Sequence, residues 1–395
     1  MTMVRSESRP AGLAPAASFA CALACGAMVA NIYYAQPLIA LIAPALGLRA
    51  GMAGLIVTLT QLGYAAGLVL LVPLADLVEN RRLIVTGCAA SALALAGVAA
   101  SQGPWSFLVA TVAAGLLSSG AQIVVPYAAS LAAPERRGQT VGNVMAGLLT
   151  GIMLARPAAS FVASLAGWRA IFWLSAAAML LLAAWMARTL PRRAPPPGPP
   201  YGAMLRSLVT IVRREPALRR RAAYQGLIFA IFNLFWTSAP LMLAARFGMG
   251  QKGIALFGLA GAAGALVAPY AGRLGDRGHV RAGTGAAILI LILSCLLSGA
   301  AAAWHSLAGV ILFALTLDGA TQLNQVLGQR VIYSLPGEAR GRINAAYMTV
   351  MFLLGATGSA IATTTYQAGG WWGAMAAGTA LAVATGLLFL TEFRR

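Results

Sequence analysis

Apolar residues in this chain gather into long runs separated by short segments of charge, glycine or proline, and the runs show no period-two alternation. Each run reaches about 20 residues or more, enough for an α-helix to cross the hydrocarbon core of a bilayer. A membrane-spanning strand needs only about 10 residues with alternating polarity, so the pattern disfavours strands. Spans bounded by charge or by Gly/Pro clusters number twelve: 13–40, 51–74, 83–102, 105–131, 140–166 and 168–188, then 222–245, 253–272, 282–303, 306–329, 343–368 and 370–391. Between the sixth and seventh, the run Pro195-Pro196-Pro197-Gly198-Pro199-Pro200 and a basic cluster from Arg213 to Arg221 break the pattern. That composition reads as a solvent-exposed linker with room for a short surface helix. The expected organisation is a six-helix bundle in 1–190, a linker in 191–221 and a second six-helix bundle in 222–395.

The two halves repeat each other at an offset of about 200 residues. Asp76 with Arg81 and Arg82 recurs as Asp276 with Arg277 and Arg281. Pro134-Glu135-Arg136-Arg137-Gly138 returns as Pro336-Gly337-Glu338-Ala339-Arg340-Gly341, and Gly167-Trp168-Arg169 as Gly370-Trp371-Trp372. Asn31-Ile32-Tyr33-Tyr34-Ala35-Gln36-Pro37 is echoed by Asn233-Leu234-Phe235-Trp236-Thr237-Ser238-Ala239-Pro240. The pattern fits an all-α membrane protein of two bundles related by an internal repeat, an architecture found chiefly in carriers.

Composition agrees: 60% of residues are hydrophobic and 9% charged, with mean hydropathy +0.80. A soluble chain of this length could not hide so much apolar surface. Gly 44 and abundant Ala suit helices packed closely in lipid. With both termini placed on the inner side of the membrane, the segments 5–9, 81–82, 136–137, 188–221, 273–281, 330–342 and 394–395 hold 23 of the 28 Lys and Arg. Four lie outside (Arg49, Arg169, Arg246, Lys252) and Arg156 within a span. This bias orients the chain with both ends cytoplasmic and accounts for the net charge of +19 as a topogenic signal near anionic lipid, without nucleic acid as a partner.

Several chemistries drop out. The only lysine, Lys252, is followed by Gly253, so there is no Walker A loop. His279 and His305 fall at opposite membrane faces, and Cys21, Cys25, Cys88 and Cys295 lack metal-type spacing, so neither metal nor cofactor is expected. No nucleophile, base and orienter come together at one depth, which argues against an enzyme.

Among nine acidic residues, Asp318 alone lies mid-span, where a carboxylate is costly and usually faces a cavity. Asp318, Gln322 and Gln325 share one face by i, i+4, i+7 spacing. Arg156 is the sole intramembrane base. An offset of 203 sets Ser359 opposite Arg156 and Gly115 opposite Asp318, so neither charge is duplicated. For Asp318 proton coupling or cation recognition stands beside a structural hydrogen bond or ion pair. For Arg156 an anionic partner stands beside helix packing.

Gly272-Arg273-Leu274-Gly275-Asp276-Arg277-Gly278, followed by Arg281, resembles the loop motif between the second and third helices of each half in the major facilitator superfamily. The N-terminal copy keeps Asp76, Arg81 and Arg82 but lacks the glycines. The resemblance covers almost the whole chain and implies a cytoplasmic gate at Asp76, Arg81, Arg82, Gly272, Asp276, Arg277 and Arg281. Asn31 to Pro37, Gly151-Ile152-Met153-Leu154-Ala155-Arg156-Pro157 and Asn324-Gln325-Val326-Leu327-Gly328-Gln329-Arg330 look like bacterial sugar-efflux and drug:proton antiporters. Where such antiporters carry Gly-Pro-x-x-Gly-Gly, Arg156 replaces the first glycine before Pro157.

The resemblance places the first, fourth, seventh and tenth helices around a central cavity. Asn31 with Tyr34, Gln61 with Tyr64, and Asn233 with Trp236 are i, i+3 pairs of a polar group and a ring, and Gln122 and Tyr127 add similar chemistry. Together they favour an amphipathic, neutral or weakly charged small-molecule substrate. The reading reached from sequence is a proton-coupled exporter working by alternating access, for which a monomer suffices. Small-metabolite uptake, and a non-transporting sensor or scaffold of the same fold, are the alternatives.

Overall fold

The computed structural model describes residues 14–196, 198–335 and 340–394. The repeated loop at 336–339, the charged N-terminal residues, Pro197 and Arg395 lie outside them. Among the described residues all regular structure is helical. The first crossing combines α1 (Pro15–Ala30) and α2 (Ile39–Ala45), broken at Asn31 to Leu38, where the chain turns through 3-10 geometry ahead of α2. There follow α3 (Leu55–Leu70), α4 (Asn80–Ala100), a fourth crossing split into α5 (Pro104–Ser118) and α6 (Ala121–Leu131), α7 (Arg137–Ala166) and α8 (Trp168–Thr189). The second half runs through α10 (Pro216–Phe247), a crossing split into α11 (Gln251–Ala262) and α12 (Ala268–Asp276), then α13 (Val280–Ala303), α14 (Leu307–Tyr333) and α15 (Arg340–Leu390). The last helix holds two crossings, parted at Gly369 and Gly370, the latter with φ 58° that a side chain would resist. Twelve crossings result.

Local chemistry sets the helix ends. Pro104 and Pro216 stand at first-turn positions, where a missing N–H costs nothing. Glu79 caps α4 by accepting from the backbone N–H of Arg81 at 2.8 Å and of Arg82 at 2.9 Å. Because α10 begins at Pro216, Arg219 to Arg221 lie on its first turns and not in irregular chain. The segment before it contains α9 (Tyr201–Arg214), which buries Met204 and Leu208 and exposes Arg206, Arg213 and Arg214. Its Tyr201 hydroxyl donates to the Leu70 carbonyl at 2.7 Å, and Arg342 donates to its Ser207 hydroxyl at 3.1 Å. One strap thus touches both bundles.

Within the first bundle α1 packs on α7 through small residues. A Cβ on Gly147 would collide with the Ala22 carbonyl, and one on Gly151 with the Gly26 carbonyl. The outer surface is apolar: Leu93, Leu181, Leu256 and Leu266 are each 70% exposed or more, a burden that lipid relieves. The four cysteines are free and buried in the packing.

The bundles meet asymmetrically. Among the described residues, every hydrogen bond from one bundle to the other lies between mid-bundle and the end opposite the linker. There α3 approaches α15 so closely that Gly54 donates its N–H to Thr363 at 3.1 Å, and a Cβ on it would strike the Ser359 carbonyl. Thr363 in turn donates to the Gly51 carbonyl at 2.9 Å. Among the described residues the bundles are latched at the far end and share no direct hydrogen bond at the linker end.

Candidate substrate and coupling site

Arg156 sits in the middle of α7, 7% exposed, pointing across the bundle interface. Its guanidinium carbon lies 4.8 Å from the centre of the Tyr33 ring, 4.9 Å from Phe232 and 4.7 Å from Trp236. Each desolvated cation–π contact contributes about 1–2 kcal/mol, which offsets part of the cost of burying the charge. Arg156 Nε donates to Gln36 Oε1 at 2.7 Å, and Gln36 Nε2 donates onward to the Thr237 hydroxyl at 3.2 Å. Arg156 Nη2 is buried with no partner.

Asp318, on α14, is 8% exposed and accepts from Trp236 Nε1 at 2.8 Å. None of the ion pairs among the described residues involves Arg156 or Asp318. The two charges therefore occupy the face and the edge of one indole. Room for this comes from the break after α11: a Cβ on Gly261 would strike the Trp236 ring and approach Asp318 Oδ2 to 2.9 Å. One on Gly264 would run into Asp318 Cβ. A groove of about 840 Å³ between α1 and α7 touches neither charge, so size alone does not mark the chemistry.

The other residues singled out by sequence fall into three groups. Gln61 and Asn233 bond to each other across the interface at 2.7 and 3.3 Å, and Asn233 also donates to the Gly355 carbonyl at 3.2 Å. Tyr64 stacks obliquely on Phe352 with centroids 4.4 Å apart and accepts from Gln122 Nε2 at 3.2 Å. These four form a seam beside the Arg156 cluster. Asn31 and Tyr34 turn toward α8 instead: Asn31 Oδ1 accepts from Ser175 at 2.6 Å, and Tyr34 meets Phe172 edge-on. Tyr127 lies near the linker, donating to the Pro191 carbonyl at 2.6 Å. Gln322 and Gln325 are half-buried and make no side-chain hydrogen bond among the described residues.

The loop residues keep to their own bundles. Asp276 pairs with Arg330, and both side chains are largely exposed. Arg281 lies 3.6 Å from Glu392, which also faces Arg221 at 3.7 Å. Arg277 is exposed and Gly272 has open space around it, whereas Gly275 makes room for Arg330. In the first bundle Asp76 and Arg82 are exposed, and Arg81 bonds to the Ala187 carbonyl. Glu79 does the organising there, accepting from the Arg193 N–H at 3.1 Å, while Arg193 donates to Asn80 Oδ1 at 2.7 Å.

Sequence reasoning missed Tyr33, Gln36, Phe232 and Thr237. Tyr33 and Gln36 stood inside the Asn31–Pro37 motif, and Thr237 inside its echo. The i, i+3 spacing from Asn31 selected Tyr34, but the break at the end of α1 turns Tyr33 inward to Arg156 and Tyr34 aside to Phe172. Phe232 carried no signal in one sequence. A second polar pair, Asn324 donating to Gln225 at 2.7 Å, links α14 and α10 nearer the linker.

Comparison with known proteins gives one answer. The model of the Major Facilitator Superfamily matches residues 19–359. The transporter YgaY of Escherichia coli (strain K12) is 42% identical over 387 residues, 97% of each chain. A chloramphenicol resistance protein of Streptomyces lividans is 28% identical over 366 residues, 87% of each chain. Among solved structures, a bacterial homolog of the human lysosomal transporter Spinster, inward-facing and occupied, superposes with TM-score 0.77 at 14% identity, covering 95% of this chain and 96% of that one.

Proposed function

The chain belongs to the major facilitator superfamily, and from that premise we propose that it is a proton-coupled exporter of small amphipathic solutes. Membership makes it a multi-pass membrane transporter of small molecules and not an enzyme. Export draws support from the relative named for chloramphenicol resistance. The basic bias of the linker side supports cytoplasmic termini in a bacterial inner membrane, so the unlatched end is the cytoplasmic one. The 1–190 and 222–395 bundles then rock about the seam, and one chain suffices as the working unit.

The observation that carries the coupling is Asp318, a buried carboxylate at the bundle interface whose one side-chain hydrogen bond among the described residues comes from Trp236 on α10. In a dry interior a lone carboxylate exchanges its proton when its surroundings change. Rocking of the first bundle, which lays Arg156 on the Trp236 ring in this conformer, changes those surroundings directly. Asp76, Arg81, Arg82, Gly272, Asp276, Arg277 and Arg281 act in the opposite state, when the linker ends approach.

The test is solute-dependent proton movement in proteoliposomes holding the purified chain and an internal pH dye, screened across sugars, nucleosides and phenicol drugs. A solute that collapses an imposed pH gradient, and is itself driven uphill by one, is the expected result. Accumulation that ignores the gradient would refute proton coupling.

A further inference from the structure

Arg156 has more hydrogen-bonding capacity than the protein satisfies. A guanidinium carries five N–H donors in one plane. Gln36 takes the one at Nε, and the three rings attract the charge yet accept none of the in-plane donors well. Nη2 stays buried and unpartnered, although leaving such a donor unpaired is costly. Among the described residues the one acid at the cluster, Asp318, is held at the edge of the Trp236 indole by Nε1 and forms no ion pair with Arg156. A helix-packing arginine would gain by closing onto that carboxylate. Here the indole keeps them apart, and Gly261 and Gly264 leave the space that holds the indole and carboxylate in place.

We propose that Arg156 is the recognition point for an organic monoanion: a solute with one carboxylate on an apolar or aromatic body. A carboxylate matches the planar fork of a guanidinium with two parallel hydrogen bonds, which a sugar hydroxyl or neutral amide does not. One cation walled by Tyr33, Phe232 and Trp236 suits a single negative charge and disfavours phosphates, whose second charge would go uncompensated. Phe257, 5.6 Å from Trp236, extends the apolar wall for the body of the solute. Gln36 acts as a positioning residue, bridging the guanidinium to Thr237 of the other bundle. Carboxylate arrival at Arg156 is thereby felt at the seam. This inference rests on the transporter reading and names the substrate class of the same site.

The experiment measures binding to the purified full-length chain in detergent by calorimetry, using 3-phenylpropionate, 4-tert-butylbenzoate and 1-naphthoate, each against its neutral primary amide. Wild type is expected to prefer at least one carboxylate over its amide by about tenfold to a hundredfold, the range of a charge-assisted pair. Arg156→Gln should bring that ratio to about one, and Arg156→Lys, which keeps the charge without the fork, should leave an intermediate ratio. A merely structural arginine would weaken acid and amide together and leave the ratio unchanged; Lys carries the test if the Gln variant fails to fold. Equal binding of acid and amide by wild type, a preference that survives in Arg156→Gln, or no binding of any acid at millimolar concentration overturns the proposal. Proton-coupled transport of neutral solutes alone would overturn it while leaving the coupling standing. Carboxylate preference without coupled proton movement would do the reverse.

Discussion

Gln61 and Asn233 exchange two reciprocal side-chain hydrogen bonds, at 2.7 and 3.3 Å, across the interface between the two bundles. Reciprocal amide pairing satisfies donor and acceptor on each side, so in this conformer the two residues serve each other and are not free for solute. Such bonds contribute about 1 kcal/mol each when buried.

Replacing Asn233 with Leu should therefore release about 2 kcal/mol of latch and shift the population of the far-end-open conformer by roughly tenfold or more. A cysteine at Ser359, buried against α3, reports it. Its labelling by an impermeant thiol reagent should speed up by a similar factor. Unchanged labelling would mean that the seam is held by the remaining contacts, such as Gly54 with Thr363, Thr363 with Gly51 and Gln36 with Thr237.

Asp318→Asn keeps the volume and the acceptor for Trp236 Nε1 but cannot ionise. Gradient-driven transport should vanish while exchange of solute down its own gradient persists, measured by counterflow in the same proteoliposomes. Equal loss of both modes, with a lowered melting temperature, would mark Asp318 as structural.

Gly261→Ala adds a methyl group where the Trp236 ring and Asp318 already sit. The ring has to move, so the mutant should insert normally yet lose transport, with a shifted tryptophan emission maximum. Overpacking of this kind costs typically about 1–3 kcal/mol, so the melting temperature should fall as well.

Asp276→Asn breaks an ion pair whose partners are 68% and 47% exposed, and such pairs contribute about 0–1 kcal/mol. Melting should scarcely change. Transport should nonetheless fall several-fold, because the contacts of this loop matter when the linker ends close. Wild-type turnover would reduce Asp276 to a surface pair.

Glu79 titrates outside the spans. Partial burial pushes it up, but the N–H groups of Arg193, Arg82 and Arg81 outweigh that and hold it below its ordinary value of 4.5. A depressed carboxylate stabilises above its unfolded value and ceases to as pH falls through the depressed one. Amide hydrogen exchange at Arg81, Arg82 and Arg193, which donate to Glu79, should accelerate beyond its intrinsic pH dependence as the pH drops below about 4.5, and in Glu79→Gln it should be fast throughout the acid range.

The helical architecture was legible because apolar run length and the repeat are properties of the chain alone. So was the singularity of Arg156 and Asp318, since a membrane span tolerates few charges. Hydrogen-bond partners were not legible. Gln61 and Asn233 belong to different bundles, 172 residues apart, and a helical wheel places each on a face without saying what covers that face. The broken ends of α1 and α11 were invisible for a related reason: hydropathy averages over them, yet they turn Tyr33 inward and open space for Trp236.

The close weld of α1 to α7 has a consequence for how the protein can diversify. Arg156 and its anchor Gln36 ride on a single stiff plate, since neither Gly147 nor Gly151 tolerates a change in spacing. Altered specificity is then cheaper to acquire on the opposing wall, at Phe232 or Phe257, where side chains can be exchanged one at a time. Relatives with different cargoes should differ there first and keep the glycine weld.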